Sequence, residues 1–144
     1  MDHFIEERRR FMGEMSYHAM RNKIVGKEGE DIAAAEAVQR GYTILGRNIR
    51  TQFGEIDLLL ESRDEEFIFV EVKTRYSLKY GLPSDAITRK KLQHMCNSAI
   101  SYYNNKLAWK NKPFRIDVIT ILKDARDPKF MDFHWYENIT MDLL

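Results

Sequence analysis

The chain has 144 residues and a formal net charge of +1, with 44% hydrophobic and 31% charged residues. That length suits one domain around a hydrophobic core, and the composition is that of an ordinary globular protein. No apolar stretch approaches the ~20 residues needed to cross a bilayer, and the N-terminus lacks the basic-then-apolar order of a secretory signal. The single cysteine, Cys96, excludes an internal disulfide, which fits a reducing compartment. We therefore expect a cytoplasmic protein without a membrane segment.

The pattern along the chain predicts a folded domain over 25–144, preceded by an extension over 1–24 that is rich in Met and Arg and has helical character. A helix is expected over Gly26–Arg40 and should end at Gly41, because glycine readily adopts the left-handed conformation that closes a helix. A second helix is expected after Asp85, a residue type that favours the N-cap position. Its apolar stripe comprises Leu92, Met95, Cys96, Ala99 and Tyr103.

Five strands are predicted from apolar and β-branched runs. They are Tyr42–Ile49, Gln52–Glu61, Phe67–Thr74, Phe114–Leu122 and Met131–Tyr136. The order of helix, three strands, helix and remaining strands predicts an α/β fold with a mixed central β-sheet flanked by helices.

The polar turn Ser62–Glu66 joins two strands whose register follows from the sequence. If the turn is symmetric about Asp64, three pairs face each other: Asp57 and Glu71, Glu55 and Lys73, and Leu59 and Phe69. Facing side chains lie on the same side of the sheet, with Cβ atoms ~4.5–5.5 Å apart. Period-two alternation sends the remaining apolar residues to the opposite, buried face: Ile56, Leu58, Leu60, Ile68, Val70 and Val72.

Two opposed carboxylates in a half-buried sheet, Asp57 and Glu71, repel each other and need a counter-charge. Mg²⁺ supplies one, because it prefers carboxylate oxygens. Lys73 points to the same side, where its ammonium can orient water or stabilise a phosphate. Periodicity alone gives equal weight to a second interpretation, in which Glu55 and these three residues form the salt-bridged polar face of an ordinary hairpin.

The residues that carry the chemistry belong to a longer pattern. Its parts are Gly26-x-x-Gly29-Glu30-x-x-Ala33, Gly41-Tyr42, Arg47-Asn48, Gly54-Glu55-Ile56-Asp57-Leu58, Phe69-Val70-Glu71-Val72-Lys73-Thr74-Arg75 and Arg115-x-Asp117-Val118. This pattern resembles the YraN-type family within the restriction-endonuclease-like PD-(D/E)xK superfamily, a family similar to the archaeal Holliday-junction resolvases. The resemblance covers roughly residues 25–122.

The resemblance implies a restriction-endonuclease-like fold and a site for Mg²⁺ or Mn²⁺. It makes Asp57 and Glu71 metal ligands, adds the backbone carbonyl of Val72, and makes Lys73 the catalytic base. It also brings Glu30 to the site as a third carboxylate. From the residues alone, Glu30 is better explained as a first-turn glutamate that complements the helix dipole. The superfamily often has proline where this chain has Ile56.

Basic residues provide candidate DNA contacts. Arg75 extends beyond the Glu71-Val72-Lys73 strand, while Lys90 and Lys91 follow Arg89 at the start of the second helix. Cations there oppose the helix dipole, so a phosphate contact explains them about as well as a solvated basic surface does. Arg115 and Asp117 are expected to form a structural pair.

These observations favour a divalent-metal-dependent endonuclease that hydrolyses phosphodiester bonds in DNA, with branched DNA among the expected substrates. Symmetric cutting of a junction would require a homodimer. An alternative is a nucleic-acid-binding accessory protein that keeps the fold with little or no catalysis. A glycosidase using Asp57 and Glu71 is disfavoured by the adjacent Lys73 and by the absence of an evident Trp-lined sugar groove.

Overall fold

The computed structural model describes residues 24–76 and 81–139. The predicted extension over 1–24 lies outside this part except for Ile24. The helices are α1 (24–39) and α2 (Arg89–Asn104). The strands are β1 (Thr43–Thr51), β2 (Gly54–Glu61), β3 (Phe67–Arg75), β4 (Phe114–Asp124) and β5 (Asp127–Tyr136). Short 3-10 turns lie at Pro83–Ala86 and Leu107–Trp109.

The five strands form one sheet in the order β1-β2-β3-β4-β5. Strands β3 and β4 are parallel, and every other neighbouring pair is antiparallel. The parallel pair needs a crossover connection, which contains α2. The prediction of an α/β fold with a mixed central sheet and flanking helices is confirmed, and the architecture is consistent with a restriction-endonuclease-like fold.

A hydrophobic core lies on each face of the sheet. On the α1 side, three alanines of the helix pack against the sheet: Ala33, Ala34 and Ala37 contact Leu58, Leu60, Ile68, Val70, Ile119 and Ile121. On the α2 side, Leu92, Met95 and Ala99 pack against Ile56, Leu59, Phe67, Phe69, Ile116 and Val118. The small alanine side chains allow α1 to approach the sheet closely, as expected from the sequence.

Ile56 departs from the predicted alternation. It is buried in the α2-side core, whereas Leu58 and Leu60 are buried in the α1-side core. The ladder between β2 and β3 ends at Leu58, whereas β2 continues to pair with β1, where Ile56 is the partner of Ile49. Ile56 lies in the part of β2 that pairs only with β1, and it packs there with Ile49 on the α2 side.

The end of α1 agrees with the prediction. Gly41 has φ +93°, its N–H donates to the carbonyl of Val38, and the N–H of Tyr42 donates to that of Ala37. These two bonds form a Schellman motif. Within the described residues, neither helix is long and apolar enough to cross a membrane.

The predicted N-cap of α2 is wrong. Thr88 caps the helix, and its Oγ1 accepts a hydrogen bond of 3.2 Å from the N–H of Lys91. Asp85 lies in the preceding 3-10 turn, where its carboxylate accepts a 2.8 Å bond from the N–H of Leu82. Its side chain closes that local turn instead of the helix.

The predicted pair of Arg115 and Asp117 forms on β4, with Nε 3.0 Å from Oδ1. Asp117 is fully buried, and it also accepts a 2.8 Å bond from Nε1 of Trp135. Arg115 donates to the hydroxyl of Tyr42 and to the carboxylate of Glu66 at the hairpin turn. This buried network ties the start of β4 to β1, β5 and the turn, which supports a structural role.

Candidate metal centre

The centre begins where β2 and β3 separate. The predicted hairpin register is confirmed from Glu61–Phe67 to Leu58–Val70, and the ladder ends there, one residue before Asp57 and Glu71. Beyond that point the side chain of Asp57 replaces the strand partner, because its Oδ2 accepts a 2.8 Å bond from the N–H of Val72. The separation creates a gap that is lined by polar atoms within an otherwise apolar sheet.

The carboxyl groups of Asp57 and Glu71 lie within hydrogen-bonding reach of each other across this gap. A hydrogen bond between two carboxyl groups requires a proton on one of them. Burial and the charge of Glu71 raise the pKa of Asp57 to about 7, although the Val72 N–H opposes the rise. Burial also raises the pKa of Glu71, against the opposing effects of the Asp57 hydrogen bond and of Lys91 and Lys73. Burial, which disfavours the charged form, is thus the main reason that both carboxyl groups hold a proton more tightly than in water.

Helix α1 brings Glu30 to the same gap, because Gly29 allows the helix to touch β3. A Cβ atom at Gly29 would lie only 1.7 Å from Oγ1 of Thr74, so no other residue type fits there without displacing the helix. Burial, followed by the charge of Asp57, raises the pKa of Glu30. The structure thus places Glu30 beside Asp57, as the family resemblance implies.

Two residues that hold Glu30 were given no site role by sequence reasoning. The side chain of Asn48 lies close enough to Glu30 to lower the pKa of its carboxyl group, and Nη2 of Arg47 lies 3.9 Å from Oε2 of Glu30. Asn48 has φ +50°, a left-handed conformation that asparagine tolerates better than most residues. The pair Arg47-Asn48 is part of the pattern that resembles the YraN-type family, and it was the feature of the sequence that could have indicated this role.

The predicted position of Glu55 is wrong. The expected pair of Glu55 and Lys73 does not form in the described part of the chain, because the β2–β3 ladder ends before reaching them. Glu55 instead joins two other acids, because carboxylate oxygens of Glu30, Glu55 and Asp57 all lie within 4.8 Å of one another. This cluster joins the Asp57–Glu71 pair through Asp57.

Lys73 is half-buried on the same side of β3 as Glu71. Burial, followed by the charges of Lys91 and Arg75, lowers the pKa of Lys73. Lys91 also lowers the pKa of Glu71, so this lysine of α2 faces the centre. Lys90 and Lys91 are both exposed at the start of α2. Of the candidate DNA contacts, Arg75 and Lys91 therefore adjoin the centre.

The chemistry of the donor set fits a hard divalent cation such as Mg²⁺ or Mn²⁺. Every candidate side-chain ligand is a carboxylate, the kind of donor that such ions prefer. The Val72 carbonyl points toward the gap as well, because the N–H and C=O of one residue in an extended strand point to the same side. A cation would also relieve the charge that raises the pKa of Asp57.

Comparison with known proteins gives consistent matches. The family model described as "Uncharacterised protein family UPF0102" matches residues 29–121. A UPF0102 protein of Caldicellulosiruptor bescii is 39% identical over 75% of this chain and 90% of its own length. One from Clostridium botulinum is 44% identical over 76% of this chain and 88% of its own, and one from Trichlorobacter lovleyi 42% identical over 74% and 84%. The range of the family model includes every residue of the candidate centre.

Proposed function

The chain belongs to the uncharacterised protein family UPF0102, a restriction-endonuclease-like group, and on that basis we propose that it is a divalent-metal-dependent nuclease that hydrolyses phosphodiester bonds in DNA. One observation carries the proposal. The half-buried carboxyl groups of Asp57 and Glu71 face each other across a gap where the carboxylates of Glu30 and Glu55 also converge on Asp57, and Lys73 lies next to them.

Asp57 and Glu71, with Glu30 and the carbonyl of Val72, would hold Mg²⁺ or Mn²⁺, and Glu55 lies close enough to Asp57 to join them. A divalent cation at such a site supplies positive charge that stabilises the phosphodiester as negative charge develops during hydrolysis. The hydrogen bond from Val72 orients the Asp57 carboxylate before any ligand arrives. The contact between Gly29 and Thr74 fixes the helix that carries Glu30.

Lys73 is the proposed general base. Its lowered pKa increases the fraction of amine that is neutral near physiological pH, and a neutral amine accepts a proton from an attacking water. The water oxygen forms a bond to phosphorus, its proton passes to Nζ of Lys73, and the P–O bond to the leaving sugar oxygen breaks. That oxygen takes a proton from solvent.

Lys91 and Arg75 provide positive charge beside the reaction centre, with Lys90 next to Lys91 at the start of α2. Free N–H groups at a helix N-terminus and neighbouring cations together suit a phosphate backbone. The formal net charge of +1 makes such local placement more important than the overall charge. We assign these residues to backbone contacts, which position the strand without reading its sequence.

The test is cleavage of fluorescent DNA by the purified full chain with Mg²⁺ or Mn²⁺, using single-stranded, duplex, gapped and four-way-junction substrates. Glu71→Gln should reduce the rate by at least ~100-fold, because even changes one step removed from a metal commonly cost 10–100-fold. Glu61→Gln, at the opposite end of β2, is the matched control and should cleave like the wild type.

Cleavage that survives Glu71→Gln would identify a contaminating nuclease and overturn the proposal. DNA binding by the wild type without cleavage of any substrate would support the accessory role instead. Because phosphate contacts give a steep loss of affinity with salt, binding should be measured at several salt concentrations.

A further inference from the structure

A groove opens on the α2 side of the sheet, between β5 and the 3-10 turn at Pro83. Thr120 and Leu122 form its floor. Asp132, His134 and Tyr136 form one wall, and Leu82, Pro83 and Ser84 form the other. The groove is open to solvent.

The sheet register gives the position of the groove relative to the candidate metal centre, and the 3-10 turn at Pro83–Ala86 contacts both β3 and β4. Lys73 on β3 pairs with Thr120 on β4, and Thr120 pairs with His134 on β5. Two residues earlier along β3, a second row of cross-strand partners begins, in which Glu71 pairs with Val118 and Val118 pairs with Tyr136. Because adjacent strands lie ~4.8 Å apart, the backbone of His134 is about 10 Å from that of Lys73. A stacked DNA strand advances ~3.4 Å per nucleotide, so about three nucleotides span the separation of His134 from Lys73.

The wall on β5 has the character of a stacking surface. The rings of His134 and Tyr136 are nearly parallel, with an interplanar angle of 22° and centroids 6.0 Å apart. Both side chains are exposed, although their neighbours Phe133 and Trp135 pack into the core. Aromatic side chains of this kind bind unpaired bases by stacking, typically with ~1–3 kcal/mol per base.

Polar groups in the groove complement the stacking surface. Oδ1 of Asp132 lies 2.9 Å from Nε2 of His134, and the two form an ion pair when the imidazole is protonated. The hydroxyl of Thr120 at the floor and that of Ser84 on the facing wall can each donate or accept a hydrogen bond. A flat heteroaromatic ring with donors and acceptors along its edges, such as a nucleobase, matches this combination.

We propose that the groove binds the base of an unpaired nucleotide in the DNA strand that is held at the metal centre. This inference rests on the proposed nuclease function and specifies its substrate class. In a continuous duplex both faces of each base are stacked and its pairing edge is occupied, so a base reaches the groove only when it is unpaired or turned out of the helix. DNA with unpaired nucleotides about three positions from the cut is therefore the preferred substrate.

The test measures binding of the full chain, with Ca²⁺ in place of Mg²⁺, to a gapped duplex and to a continuous duplex of the same sequence. Both probes carry 2-aminopurine at the position that is unpaired in the gap. The wild type should bind the gapped probe at least ~10-fold more tightly and change its 2-aminopurine fluorescence, as expected for a stacked base. Tyr136→Leu and His134→Ala should each remove most of this preference without changing affinity for the continuous duplex.

Two controls separate stacking from folding. Tyr136→Phe keeps an aromatic ring and should bind like the wild type. Phe130→Ala removes an aromatic side chain of β5 that is 44% exposed but does not line the groove, and it should also have no effect.

The outcomes distinguish this inference from the nuclease proposal. Three results would overturn the groove assignment alone. The first is metal-dependent cleavage without preference for the gapped probe, and the second is an equal loss of affinity for both probes in the Tyr136 and His134 variants. The third is binding of free deoxyadenosine monophosphate as tightly as the gapped probe. A gap preference that depends on Tyr136, without cleavage, would overturn the nuclease proposal and keep the groove. Failure of the wild type to bind either probe would overturn both.

Discussion

The carboxylate of Asp57 accepts a 2.8 Å hydrogen bond from the backbone N–H of Val72, where β2 and β3 stop pairing. A side chain thereby takes over the bond that a strand partner would otherwise accept. The same bond aims Asp57 at Glu71, and it leaves the Val72 carbonyl facing the gap. The backbone geometry of the hairpin and the candidate metal centre are thus parts of one arrangement.

Asp57→Asn is expected to stabilise the metal-free protein at high pH. The pKa of Asp57 is raised from 3.8 to about 7 in the folded state, so its favourable contribution is fully present below the unfolded pKa and is lost as the pH rises toward 7. Asparagine stays neutral and can keep both the Val72 and Glu71 hydrogen bonds. Urea unfolding in EDTA at about pH 8 should show a gain of up to ~4 kcal/mol, which disappears below about pH 4.

Divalent cations should make the wild type more stable than Asp57→Asn. Mg²⁺ or Mn²⁺ should stabilise the wild type at about pH 8, because a ligand that binds only the folded state raises its stability, whereas the Asp57→Asn variant should gain little. Asp64→Asn, at the exposed turn, is the control and should respond to both conditions like the wild type. Equal stabilisation of the wild type and Asp57→Asn by Mg²⁺ would contradict a metal-binding role for Asp57.

Gly29→Ala tests the contact that places Glu30. The added Cβ would lie 1.7 Å from Oγ1 of Thr74, so α1 must move away from β3 and carry Glu30 with it. We expect lower stability, by ~1–3 kcal/mol as for other overpacked sites, and a loss of metal affinity measured by Mn²⁺ titration.

Gly26→Ala is the matched control in the same helix. A Cβ at Gly26 meets nothing within 4 Å, and alanine favours helix by up to ~1 kcal/mol over glycine. This variant should therefore be as stable as the wild type or more so, with unchanged Mn²⁺ affinity. Normal Mn²⁺ affinity in Gly29→Ala would contradict the role of this contact in placing Glu30.

Lys91→Gln should move the pH dependence of cleavage to higher pH. The charge of Lys91 lowers the pKa of both Lys73 and Glu71, so its removal raises both. A higher pH is then needed to obtain neutral Lys73 and ionised Glu71. Lys90→Gln, one residue earlier on α2, should weaken DNA binding by a similar factor but leave the pH profile in place. Superimposable profiles for the two variants would show that Lys91 does not act on the centre electrostatically.

Local patterns in the sequence were sufficient for much of the fold. Helix spacing, the Gly41 stop and the alternation of β2 and β3 depend on neighbouring residues, so the elements and the hairpin register could be predicted. The separation of β2 from β3 could not, because it depends on the pairing of β2 with β1 and on the bond between Asp57 and Val72. For the same reason the alternation failed at Ile56 and the expected pair of Glu55 and Lys73 did not form.

The sequence by itself determined which residue types are available to the centre and their order along the chain. Asp57, Glu71 and Lys73 follow from strand period and turn symmetry, while Glu30 needed the family resemblance. Only the tertiary structure decided that Gly29 brings Glu30 to these residues, that the charge of Lys91 acts on them, and that His134 lies in a row with Lys73. Those relationships join residues far apart in the chain, and they are set by packing across the sheet rather than by any local conformational preference.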